Sequence, residues 1–206
     1  MLISHKYKFI FIHVWKTGGT SIYESLLPFT EKDTQPSFFD LLLNRKRKPI
    51  SLDFEKHITG PELIEKIDPK IYNKYFKFAF VRNPLSWEVS YYHFITQQPN
   101  NHPERETIIK LGSFEAFIDW AAEHEMEKHS QKQFVYSGDK KIVDLICKYE
   151  QFNEDLEQVK SILGFPKFEI QHVNKSKHDD YMKYYTPRTE AIVRHVLKED
   201  FKLFNY

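Results

Sequence analysis

Between Tyr7 and Val14 the chain is β-branched and aromatic, with the unbroken apolar run Phe9-Ile10-Phe11-Ile12. That pattern predicts a buried strand. Thr17-Gly18-Gly19-Thr20 then breaks the run, and Ser21 to Leu27 reads as a short helix ended near Pro28. Residues 30 to 56 carry no clear period and read as irregular and polar. Thr59-Gly60-Pro61-Glu62 has the form of a capping box with proline near the helix start, and it leads into Leu63 to Ile67. Phe76 to Val81 is a second buried strand, broken by Asn83-Pro84, and Leu85 to Gln98 reads as helical. Beyond a polar loop around residues 99 to 103, Ser113 to Glu127 predicts an amphipathic helix with Phe114, Phe117, Ile118 and Ala121 on one face. Ile142 to Tyr149 predicts a third strand and Asn153 to Leu163 a helix stopped by Gly164. Thr186-Pro187 opens the last helix, where Ile192, Val193, Val196 and Leu197 share a face.

Apolar runs alternating with helical periods argue for an α/β fold, a central mainly parallel sheet flanked by helices. No repeat or linker interrupts it, and 206 residues suit one domain over 1–206. Composition adds little to this: 41% hydrophobic and 29% charged residues are ordinary for a soluble globular chain. The aromatic share is more telling, because 18 Phe and 12 Tyr exceed ordinary use and serve either a core or a groove for a sugar or base. A formal charge of +1 provides no global field for nucleic acid, so no nucleic-acid partner is expected. The single cysteine, Cys147, excludes an internal disulfide and any cysteine-rich metal site, and in its apolar run it reads as a small buried hydrophobe. Lys6 and Lys8 before Phe9–Ile12 loosely imitate a leader. The apolar part is too short for a membrane span or secretory core, so the expectation is a cytoplasmic protein without membrane insertion. Oligomeric state is not readable.

Chemistry concentrates in Trp15-Lys16-Thr17-Gly18-Gly19-Thr20-Ser21. A strand delivers the chain to two glycines and then to a helix start. Glycines let backbone N–H groups curl around an anion, and a helix N-terminus adds partial positive charge. Lys16 adds a full charge, and Thr17, Thr20 and Ser21 add hydroxyls. The segment therefore reads as a phosphate or sulfate cradle, with a plain strand-to-helix turn as the alternative. It is not a Walker loop, in which glycine directly precedes the lysine; here Lys16 comes before the glycines. Arg82 ends the second strand, where open α/β sheets bind ligands and an arginine offers bidentate bonds to phosphate. A strand-end salt bridge is its alternative. Ser90, on the helix begun at Pro84, adds a hydroxyl.

The run FIHVWKTGGTSI resembles the phosphosulfate loop of the sulfotransferase superfamily, in the branch of carbohydrate sulfotransferases (sulfotransferase family 2 type) whose loop usually reads H-I-P-K-T-G-G-T-S. Trp15 stands where that branch commonly has proline. Phe78 to Pro84 with Ser90 resembles the family's second signature, and Trp87 departs from it where many relatives have a second arginine. The resemblance implies a P-loop-like sulfotransferase fold. It also implies a 3′-phosphoadenosine 5′-phosphosulfate (PAPS) co-substrate that leaves as 3′-phosphoadenosine 5′-phosphate (PAP), and no metal. Lys16, Thr17, Gly18, Gly19, Thr20 and Ser21 would hold the donor, with Lys16 at the leaving oxygen, and Arg82 and Ser90 would hold the 3′-phosphate. His172 to Lys177 resembles a late loop closing over the nucleotide, which would bring in Lys175 and Ser176; a solvated charged turn is the other reading.

In-line sulfuryl transfer to a hydroxyl benefits from a general base. His57 lies between the two nucleotide motifs, resembles the region supplying a catalytic histidine in some carbohydrate members, and reads equally as a capping or surface residue. His13 at the strand end reads as structural, Glu24 and Glu55 as fallback bases, and Glu150 as structural. The acceptor expected from the branch is a carbohydrate or glycolipid. Tyr91, Tyr92, Trp120, Arg45 and Lys46 are candidates to border it, each also explicable as core or ordinary surface. The competing readings are a nucleotide-dependent kinase using the same cradle, and a non-catalytic protein on the same fold that binds glycans or nucleotides.

Overall fold

A computed structural model describes residues 1–30, 57–97, 102–165 and 180–206. In chain order its regular elements are β1 (Leu2–Ser4), β2 (Phe9–Ile12), α1 (Gly19–Leu26), α2 (Gly60–Lys66), α3 (Pro69–Lys74) and β3 (Phe76–Val81). Then come α4 (Pro84–Gln97), α5 (Arg105–Leu111), α6 (Phe114–His124), α7 (Lys132–Val135), β4 (Tyr136–Ser137) and β5 (Lys140–Lys141). β6 (Leu145–Lys148), α8 (Phe152–Leu163), α9 (Pro187–Val196) and α10 (Lys198–Phe204) complete the series. They gather into two compact units. One takes in Met1–Val81 and the stretch from Gln133; the other takes in Arg82–Lys132 and the C-terminal stretch ending at Tyr206.

The first unit is built on a sheet of order β1-β2-β3-β6. β2, β3 and β6 are parallel, with Phe11 opposite Phe78 and Phe80 opposite Cys147, while β1 runs antiparallel on the edge. The mainly parallel α/β sheet expected from the sequence is therefore present. Alternation along the strands explains the packing. Phe9, Phe11, Phe78, Phe80 and Cys147 share a cluster with Ile22 and Leu26 of α1 and Leu156 and Val159 of α8, so two helices cover that face. Ile10, Ile12, Ala79 and Val81 point to the opposite face and are buried as well. Burial on both faces is why the strands read as continuous apolar runs. Lys77 enters the sheet because its polar atoms are matched: Nζ donates to the Tyr75 carbonyl at 2.8 Å and pairs with the Asp144 carboxylate at 2.8 Å.

Capping signals behave as the sequence implied. Glu62 accepts from the Thr59 N–H at 3.0 Å and from its hydroxyl at 2.7 Å, fixing the start of α2. Gly164 ends α8 in the left-handed conformation with φ 61°. The predicted last helix stops earlier than its apolar period, at Val196, and the chain restarts as α10 after Leu197.

The second unit is helical. Leu85, Trp87, Val89, Tyr91 and Ile95 of α4 pack with Ile108 of α5, with Phe117 and Ile118 of α6, and with Val193, Leu197 and Phe201 near the C-terminus. Every residue of α4 from Pro84 to Tyr91 is buried, polar ones included. Those buried polar groups require partners, and they lead to the site chemistry.

Candidate active site

In the first unit β2 ends at Ile12, and the chain turns sharply before α1. Two residues carry the turn in the left-handed region, Lys16 with φ 57° and Gly18 with φ 75°. Lysine there is uncommon and costs about 1–2 kcal/mol, whereas glycine adopts it without a steric penalty. Thr17, fully buried between them, donates its hydroxyl to the Val14 carbonyl at 2.9 Å and locks the loop. Gly18 caps α1, its carbonyl accepting the Ser21 N–H at 3.1 Å. The loop thus delivers its backbone to the N-terminal end of an eight-residue helix, where peptide N–H groups and the helix dipole favour an anion.

Both glycines are dictated by neighbours. A Cβ on Gly18 would lie 3.1 Å from the Tyr149 ring and 3.3 Å from that of Phe152. On Gly19 it would lie 2.1 Å from the ring of His13, a distance no real contact allows. His13 is buried and stacks between Phe11 and Tyr23, at 5.7 and 6.2 Å between centroids. It fits the structural role expected of it, flooring the loop.

His57 stands beside this floor. Its Nδ1 lies 3.0 Å from the His13 carbonyl oxygen, and its ring is 4.5 Å from the His13 ring and 5.4 Å from that of Trp15. A carbonyl oxygen only accepts, so the neutral imidazole carries its proton on Nδ1 and its lone pair on Nε2. In that tautomer Nε2 is the nitrogen that can accept a proton. Trp15, 38% exposed, is held against His57 and Phe134.

In the second unit Arg82 directly follows β3 and is only 4% exposed. Its Nε donates to Ser86 Oγ at 2.9 Å. Ser90 is buried one turn further along α4.

The family described as the sulfotransferase family matches over residues 1–206. The chain belongs to the sulfotransferase family. It is a PAPS-dependent enzyme of that family, which sets the kinase reading aside. No curated protein gives a significant match. Among solved structures, the crystal structure of mouse sulfotransferase SULT7A1 complexed with PAP matches at 15% identity. The alignment covers 97% of this chain and 85% of that one, with a TM-score of 0.47.

In this sulfotransferase, the predicted residues Lys16 to Ser21 and His57 come together in one unit, and Arg82 and Ser90 in the other. Lys175 and Ser176 lie outside the described residues, as do Arg45, Lys46 and Glu55. Glu24 and Glu150 are exposed. Tyr91, a candidate for the acceptor border, is instead a core residue whose hydroxyl meets His102 Nε2 at 2.8 Å. Tyr92 and Trp120 pack against the same core. Cys147 is fully buried, and burial pushes its thiol well above the usual range, as its apolar run implied. No helix among the described residues is long and apolar enough to cross a membrane. Sequence reading missed Ser86, the partner of Arg82. Its spacing, four residues from both Arg82 and Ser90, is the signal that marks it.

Proposed function

We propose that this sulfotransferase binds PAPS through Lys16, Thr17, Gly18, Gly19, Thr20 and Ser21, with Arg82 and Ser90 on the 3′-phosphate. In this reading the whole chain, 1–206, serves one sulfotransferase domain, and the acceptor is a carbohydrate or glycolipid hydroxyl. The observation that carries it is the loop itself: a lysine and a glycine, both left-handed, turn the backbone onto a helix start beside a histidine whose Nε2 can accept a proton.

The residues fit a phosphosulfate on chemical grounds. Backbone N–H groups at the start of α1 meet oxyanions, and the Thr17 hydroxyl, already donated to Val14, stiffens the cradle so that its contribution to the ligand is through the main chain. The acceptor oxygen attacks sulfur as the bond from sulfur to the 5′-phosphate oxygen breaks. The acceptor proton passes to His57 Nε2, and Lys16 offsets the charge that grows on the departing phosphate oxygen. The donor's sulfur carries the electrophilic chemistry, so no metal is assigned. Trp15, exposed against His57, presents an aromatic face on which a sugar ring can stack.

Thermal unfolding with PAP, against adenosine 5′-phosphate and ATP, tests the donor site. PAP at a hundred times its dissociation constant adds about 2.7 kcal/mol, roughly 5–10 °C at this size. A smaller shift with the two nucleotides lacking the 3′-phosphate is the expected result. Equal shifts with all three would defeat the 3′-phosphate assignment, and none at all would defeat the assignment of the donor site to these residues. Transfer of labelled sulfate from PAPS to a panel of oligosaccharides, against phenol and amine acceptors, tests the acceptor class.

A further inference from the structure

At the start of the second unit the backbone N–H and C=O of Arg82 are both held by one side chain. Gln131 Oε1 accepts the Arg82 N–H at 2.8 Å, and Gln131 Nε2 donates to the Arg82 carbonyl at 2.7 Å. A side-chain amide reproduces there the donor–acceptor pair that a neighbouring strand would offer, just where β3 ends. The arrangement fixes the amide's orientation, since a flip would set donor against donor and acceptor against acceptor.

Gln131 is itself held. Asp200, in the first turn of α10, accepts from the Gln131 N–H at 2.6 Å, from the Ser130 hydroxyl at 2.8 Å and from the Lys132 N–H at 3.1 Å. Gln131 is 1% exposed and Asp200 is fully buried. A carboxylate is rarely buried so completely without a task for its lone pairs. Here they order a three-residue turn whose central side chain grips Arg82. The guanidinium end is tied separately, through Nε to Ser86. Backbone and head group of one buried cation are thus fixed by independent means.

We propose that Gln131, anchored by Asp200, is a positioning residue for 3′-phosphate recognition, acting through the backbone of Arg82. This rests on the donor-site reading above. An arginine at a strand end can pivot in φ and ψ unless its backbone groups are held, and a small pivot at its Cα moves the guanidinium by much more. The Gln131 clasp removes that freedom before ligand arrives, which is where precise placement of a bidentate donor gains its effect.

The test is a double-mutant cycle on Gln131→Leu and Arg82→Ala, reading the dissociation constants of PAP and adenosine 5′-phosphate by calorimetry on the full chain. The ratio of the two constants isolates the 3′-phosphate and is insensitive to a general loss of stability. We expect Gln131→Leu to reduce the wild-type ratio about tenfold, and to change nothing further in the Arg82→Ala background. Gln131→Glu, which keeps the acceptor for the Arg82 N–H and loses the donor to its carbonyl, should fall between wild type and Gln131→Leu; it also serves if the leucine variant fails to fold. If Arg82→Ala abolishes the preference for PAP while Gln131→Leu and Gln131→Glu leave it at the wild-type value, the positioning role is refuted and the donor site stands. A wild type that binds both nucleotides alike would overturn the donor-site reading and this inference together.

Discussion

In the proposed mechanism His57 and Lys16 divide the work of the transfer between them, and their variants should differ in kind. Removing a charge that stabilises the leaving oxygen lowers turnover by about 10²- to 10³-fold. Lys16→Ala should do this with a much smaller effect on the melting temperature, because alanine meets the same Cβ penalty in the left-handed region as lysine. His57→Ala should lower turnover by about 10²- to 10⁴-fold with PAP affinity within about twofold, since the histidine faces the loop floor through His13. Steady-state kinetics together with calorimetry separate the two. Wild-type turnover in His57→Ala would move the base elsewhere. Lys16 and its loop were legible in the sequence because their chemistry is local: charge, glycines and hydroxyls lie within seven consecutive residues. Gln131 and Asp200 were not, because what gives them meaning is a partner 49 or 69 residues away in the chain.

At the level of elements, the start of α1 is a tightly constrained join. Gly19 has no need of a special backbone conformation; its side chain is excluded by the His13 ring alone. Gly19→Ala must push that ring aside, an overpacking change of about 1–3 kcal/mol, or a fall of roughly 3 to 10 °C in Tm by calorimetry. Turnover should fall with it, because the carbonyl of His13 is what orients His57. An alanine variant with wild-type Tm would show that the ring has room to move. Elements were predictable where the period was sustained. Phe76–Val81 matches its apolar run residue for residue, and α6 keeps the predicted face. β1, with three residues, and the hairpin β4–β5, with two in each strand, are too short to express a period. The short helices α3 and α5 escaped for the same reason, and α9 and α10 merged in the reading because Leu197 belongs to the apolar face of the first while breaking its backbone.

Across the whole molecule, the stability of the helical unit should depend on pH through one buried pair. His129 Nδ1 lies 2.9 Å from Glu88 Oε1, and both side chains are buried. Burial alone would lower the histidine pKa, but Glu88 and then Glu125 outweigh it and raise it to about 9. An unfolded histidine titrates near 6.5, so the stabilisation is complete below about pH 6.5 and is lost as pH rises through about 9, on the order of 3 kcal/mol in all. Urea melts between pH 6 and 9.5 should show this decline, and Glu88→Gln should flatten it; an equally steep profile in that variant would exclude the pair as its source. The sheet unit carries a different kind of information. Its only sulfhydryl, Cys147, is sealed within the strands with its proton held tightly. A thiol-reactive dye therefore labels the native chain only as often as the sheet opens. The cysteine acts as a clock built into that unit, and labelling kinetics with and without PAP would time how far the bound nucleotide slows the opening of the strands.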